Sequence, residues 1–221
     1  MQLIIGNKNY SSWSFRGWLM LVQNGIPFNE NKLTLFTDSF YRTLEVYSPA
    51  AKVPVLIDGD VTVWDSLAIC EYINETYCQG RAWPQDNIER AKARAISCEM
   101  HSGFTALRNE MPMNCRARRH VELSEAAQND IARIDQIWRD QMLKYSDNGG
   151  WLFGEWSIAD CMFAPVVLRF KTYGIEVSEL SKRYMDKVQQ SAAVKAWLKE
   201  ALQETDIVPE DEAGTDVAQR V

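Results

Sequence analysis

The chain has little of what several function classes require. No apolar run approaches the ~20 residues that span a bilayer. The apolar start, Met1 to Ile5, is too brief for a signal peptide, and Gly6-Asn7-Lys8-Asn9 ends it. Histidine is scarce, with only His101 and His120. The five cysteines (Cys70, Cys78, Cys98, Cys115 and Cys161) are scattered and odd in number, with no C-x-x-C pair. A disulfide framework and a His/Cys metal site therefore lack support, and no metal is expected. Cys70, Cys98 and Cys161 fall in helical patterns and read as buried small hydrophobes. These features point to a cytoplasmic protein. Basic residues are the minority, 24 against 30 acidic ones, for a net charge of -6. That argues against nucleic acid or an anionic membrane as the main partner. No Ser-His-Asp or Cys-His pairing is visible, nor any internal repeat or low-complexity tract.

What is present is an ordinary globular composition, 46% hydrophobic and 24% charged. A length of 221 residues fits one large domain or two small ones. Residues 1–5 read as a buried strand. Ser12 to Asn24 reads as a helix with Phe15, Trp18, Leu19 and Val22 on one face and Gly25 as its stop. A strand over Phe28 to Leu35 follows, then a short helix over Ser39 to Val46 that Ser48-Pro49 ends. After a hairpin and a third helix, the β pattern disappears. Residues 79–87, with Gly80 and Pro84, read as a linker. Beyond it lie long helical patterns: Ile88 to about Asn114 with a break near Pro112, Leu123 to Tyr145 capped by Ser124, a central apolar helix Ile158 to Tyr173, then Ser178 to Gln189 and Ala192 to Leu202. The expected organisation is a mixed α/β domain over 1–78, an all-helical domain over 88–205, and a loose acidic tail over 206–221.

The most informative stretch is Ser48 to Ser66. Pro54 interrupts an apolar run, and lacking a donor it sits badly in a central strand unless Val53-Pro54 is cis. Asp58-Gly59 makes a hairpin. Asp65-Ser66 then opens a helix whose later residues Leu67, Ile69, Cys70, Tyr72 and Ile73 have helical spacing. A helix start with free N–H groups attracts a carboxylate. An exposed backbone edge beside it suits a small peptide with a free carboxylate. The plainer reading is a hairpin and a helix with Asp65 or Ser66 as cap.

This run resembles the glutathione-binding half of the cytosolic glutathione transferases, where Val-Pro, a hairpin and Glu/Asp-Ser recur. The resemblance covers nearly the whole chain to about Thr205. It implies a thioredoxin-like α/β N-terminal domain joined to an all-α C-terminal domain. It also implies glutathione as co-substrate, a homodimer, and a detoxifying transferase acting on a small electrophile. Tyr10-Ser11-Ser12-Trp13-Ser14-Phe15-Arg16 is similar to the motif of serine-type members, the zeta class above all. On that match Ser11 activates the thiol, with Ser12 and Ser14 as alternatives. Trp13 stands where that class has cysteine, which counts against its isomerase activity. Read without the family, the three serines are a capping cluster.

The resemblance further implies that Val53, beside Pro54, binds the cysteinyl unit, and that Asp65 and Ser66 hold the γ-glutamyl end. Lys52 is a candidate for the glycyl carboxylate. A second-substrate pocket would be lined by Trp13, Phe104, Arg108 and Met111, suiting an apolar electrophile with an acidic group; the competing reading places Met and Phe at helical spacing in the core. The run Arg116 to His120 reads as a solvated turn. Ser157 and Asp160 have capping-box spacing at the start of the central helix. Two other functions stay open: a glutathione-dependent isomerase or dehalogenating enzyme, and a non-catalytic interaction module on the same fold.

Overall fold

A computed structural model describes residues 1–48 and 50–217. Pro49, read above as part of a helix-ending turn, and the last four residues of the expected tail lie outside the described residues.

The N-terminal part forms a four-stranded sheet in the order β2-β1-β3-β4. β1 (Gln2–Ile5) runs parallel to β2 (Asn29–Lys32) and antiparallel to β3 (Val55–Asp58), and β3 turns at Gly59 into β4 (Val61–Trp64). Side chains alternate across a strand, so the two faces of β1 enter different cores. Leu3, Ile5 and Leu56 join the main core, whereas Ile4 and Val55 pack with Phe40 and Leu44 of α2 (Asp38–Tyr47). The opposite face is covered by α1 (Ser12–Gln23) and α3 (Ser66–Thr76). The Val53–Pro54 bond is cis, immediately before β3.

The rest is built around α7 (Ile158–Tyr173), whose residues are buried on every side except at Lys171. A helix buried all round belongs in the centre of a bundle, and its polar Asp160, Arg169 and Thr172 are hydrogen-bonded there. α4 (Asn87–Ser102), α6 (Glu125–Tyr145), α8 (Glu179–Gln190) and α9 (Ala192–Ala201) complete the bundle. α1 packs on both α7 and α9, so the helix that opens at Ser11 is the joint between the sheet and the bundle.

Several expectations need correction. The helix expected to run to Pro112 ends ten residues earlier. The N–H of Gly103 closes α4 on the Glu99 carbonyl at 2.8 Å, and a Cβ on Gly103 would stand 2.7 Å from that same oxygen. Phe104 then adopts a left-handed backbone, φ +53°, and a new short helix, α5 (Thr105–Glu110), follows. Cys98 is exposed rather than buried, on the outer face of α4. Arg116 to His120 is no solvated turn. Arg116 donates to the Tyr10 hydroxyl and the Asp206 carbonyl, each at 2.8 Å, and β5 (Arg119–His120) pairs with β6 (Thr215–Asp216). Residues 206–217 are consequently no loose tail. Val208 is buried, and Glu212 binds Tyr10, Asn114 and Arg119. Acidic composition suggested a solvated tail, but these acids meet the basic run, and the two strands neutralise each other.

Candidate functional site

The loop between β1 and α1 is fixed before it reaches the serines. Lys8 is buried, with its ammonium 2.8 Å from Glu30 and 2.6 Å from Glu200 and lying over the rings of Trp18 and Trp197. Glu204 accepts the backbone N–H groups of Lys8 and Asn9, each at 2.9 Å. The contacts to Glu200 and Glu204 are not visible in the sequence, because those partners are almost two hundred residues away.

Ser11 then caps α1, and each serine hydroxyl has a distinct environment. Ser14 is buried and accepts the Gly6 N–H at 3.0 Å and the Ser11 hydroxyl at 2.7 Å. Ser12 accepts a hydrogen bond from Arg169 at 3.0 Å. Ser11 has no partner beyond Ser14 and lines a cavity of about 500 Å³. A hydroxyl proton rotates freely. If Ser14 donates to Ser11 instead, the Ser11 proton is released towards the cavity. Tyr10 shares this cavity, but its hydroxyl is engaged by Glu212 and Arg116. Burial and the Glu212 contact hold that phenol above its ordinary range.

The cavity walls carry Phe36, Phe40 and Tyr41 on one side and Arg108, Arg169 and Asp211 on the other. Arg169 spends its donors on Ser12 and on the carbonyls of Met111 and Arg108. Arg16 lies beneath Trp13, its guanidinium 4.3 Å from the ring centre, with one terminal nitrogen unpartnered. Burial lowers Arg16 to about 9, and burial lowers Arg169 to about 10, which leaves both cationic at neutral pH. Burial pushes the Asp211 carboxyl up to about 6, partly opposed by Arg169. Phe104 and Met111, expected in this pocket, are in the core instead and line neither cavity.

A second cavity of about 480 Å³ adjoins the first and shares Trp13, Lys52, Val53 and Arg108 with it. It adds Pro54, Asp65, Ser66 and His101. Asp65 caps α3 by accepting the N–H groups of Leu67 and Ala68 at 2.9 and 3.2 Å. Its backbone φ is +78°, a conformation uncommon for a non-glycine residue. Burial opposes the shift, but the hydrogen bonds from His101 and the helix N–H groups hold the Asp65 carboxyl below its usual range. The Ser66 hydroxyl is buried and unpartnered. His101, which sequence reasoning left without an acid partner, stands 2.9 Å from Asp65. The sequence places it within a helix beyond the linker, and the structure puts it in the last turn of α4. Ser157 and Asp160 lie far from both cavities. Asp160 accepts the Ser157 N–H at 2.8 Å, its hydroxyl at 3.0 Å and the Leu152 N–H at 3.0 Å. Among the described residues no three His, Cys, Asp or Glu side chains gather as metal ligands, and no helix is long and apolar enough to cross a membrane.

A thioredoxin-like α/β domain with a cis-proline before β3 and an appended helical bundle is the architecture of the glutathione transferases. Residues 10–76 match the N-terminal domain of glutathione S-transferases and residues 116–200 match their C-terminal domain, so the chain belongs to the glutathione S-transferase family. It is 27% identical over 170 residues to a probable maleylacetoacetate isomerase of Caenorhabditis elegans, covering 76% of this chain and 78% of that one. It is 24% identical over 194 residues to a stringent starvation protein A homolog of Haemophilus ducreyi, covering 85% of each. The fold matches that of a glutathione transferase homolog from Burkholderia gl BGR1 with bound glutathione, at a TM-score of 0.71 and 24% identity, over 90% of this chain and 97% of that one.

Proposed function

We propose that this chain is a glutathione transferase in which the Ser11 hydroxyl holds the glutathione sulfur as thiolate for attack on a small carboxylate-bearing electrophile. The observation that carries the reading is the unequal use of the three serines. Ser11 and Ser12 both line the cavity, but the Ser12 oxygen accepts Arg169, whereas Ser11 caps the helix start and meets only Ser14, whose rotation frees the Ser11 proton. A thiolate there is stabilised by the hydrogen bond, by the helix dipole and by the nearby guanidinium groups. Val53 supplies backbone groups for the cysteinyl unit, Asp65 meets the γ-glutamyl ammonium, and Ser66 with the start of α3 takes the γ-glutamyl carboxylate. Lys52 is the candidate for the glycyl carboxylate.

In the reaction the sulfur forms a bond to the electrophilic carbon. The displaced electron pair leaves with a leaving group or moves onto the electrophile's own carbonyl. Arg108 and Arg169 face that position and compensate the developing negative charge. Their hydrogen-bond partners are neutral, Ser12 and two backbone carbonyls for Arg169 and the His101 carbonyl for Arg108, so the positive charge of each remains to act on a substrate anion. Five free cysteines suit a reducing compartment such as the cytoplasm, where glutathione is abundant. A homodimer is part of the proposal.

The test is a comparison of α,β-unsaturated carboxylic acids with their methyl esters as electrophiles. The acids are expected to be favoured at least ~10-fold in kcat/KM, and Arg108→Met and Arg169→Met are expected to erase the preference. Equal use of acid and ester would remove the anionic-substrate reading. A glutathione-dependent cis–trans isomerase is the second reading, supported by the paired guanidinium groups and by the relative from Caenorhabditis elegans. Return of unmodified glutathione with an isomerised acid would select it.

A further inference from the structure

The Asp65–His101 contact crosses from one domain to the other. Asp65 opens α3 in the sheet domain, and His101 sits in the last turn of α4 in the bundle. The two oxygens of Asp65 have separate tasks. Oδ1 accepts both N–H groups of the α3 start. Oδ2 is free of backbone bonds and faces the His101 Nε2 at 2.9 Å. With a carboxylate opposite, Nε2 carries the proton.

His101 is itself held in place. Trp13 meets its ring edge-on at 5.3 Å between centres, and the Arg108 guanidinium donates to its carbonyl at 3.2 Å. Its Nδ1 is buried and has no partner in the protein. Asp65, Ser66, Trp13 and His101 all line the second cavity. The residue expected to meet the ligand's ammonium is thus aimed by a side chain from the opposite domain.

Resting on the glutathione reading above, we propose that His101 is a positioning residue for the γ-glutamyl end of glutathione, holding the Asp65 Oδ2 in the cavity for the ligand's ammonium. Without His101 the cap bonds through Oδ1 persist. Oδ2 then turns to water, and the ammonium meets a carboxylate that must be ordered on binding.

Calorimetry distinguishes this role from general support of the fold. The ligands are glutathione and its desamino analogue, which has hydrogen in place of the ammonium. His101→Ala is expected to weaken glutathione binding roughly tenfold while leaving the desamino analogue unchanged. His101→Gln, whose amide nitrogen reaches the position of Nε2, is expected to restore most of the loss. In an Asp65→Ala background, His101→Ala is expected to add little further. Equal losses for both ligands, or no loss for glutathione, would overturn the positioning role and leave the glutathione reading intact. Absence of glutathione binding by the unmodified protein would overturn both.

Discussion

Ser11, Ser12 and Ser14 are chemically alike in the sequence and are separated by what each hydroxyl meets. Ser14 accepts a buried backbone N–H, so Ser14→Ala orphans Gly6 and should destabilise the protein by about 1–3 kcal/mol in a urea titration. Ser12 receives Arg169, and its loss would loosen that guanidinium rather than the thiol. Asp211 bears on the electrophile side. Its carboxyl, pushed up to about 6 by burial, shares the cavity with Arg169. Above that pH it is an anion competing with an anionic substrate, and below it is neutral. KM for a carboxylate electrophile should therefore fall as pH drops through about 6, and Asp211→Asn should flatten the profile. A KM that rises over that range in the unmodified protein, with the substrate still ionised, would contradict the competition.

Among the elements, α7 depends most on its cap. Asp160 is buried and satisfies two backbone N–H groups and a hydroxyl. Asp160→Ala leaves those donors unpaired and should lower stability by about 3 kcal/mol while barely changing glutathione affinity. A stable variant with lost affinity would contradict this. Burial holds the folded Asp160 at about 6, above the ordinary ~3.9 of aspartate. The folded chain then binds that proton more tightly than the unfolded one. The resulting stability is fully present below about pH 4 and is lost as pH rises through about 6. Asp160→Asn should reduce the downward slope of stability over that interval. The α7 cap was legible because Ser157 and Asp160 are three residues apart. The α4–α5 break was not, because it rests on one close approach of Gly103 to Glu99, which no periodicity records.

Across the whole molecule, local pattern and long-range contact divide what could be read. The sheet half, the cis-proline and the cap at Asp65 follow from neighbouring residues, and each left a mark in the sequence. The Lys8–Glu200 pair, the Glu204 anchor, the Asp65–His101 pair and the docked segment 206–217 join residues 36 to 202 positions apart, and composition cannot express them. The same distance misled the reading of Phe104 and Met111 as pocket residues. The central claim is that Ser11 makes this family member a glutathione enzyme. The most direct measurement is glutathione binding by calorimetry for the unmodified protein and for Ser11→Ala, with thiolate absorbance of the bound ligand followed against pH. Binding to both is expected, with the bound thiol's pKa about 1–2 units higher in Ser11→Ala. Identical thiol pKa values in the two proteins would contradict the role of Ser11. No binding to the unmodified protein would leave a transferase fold used for some other interaction.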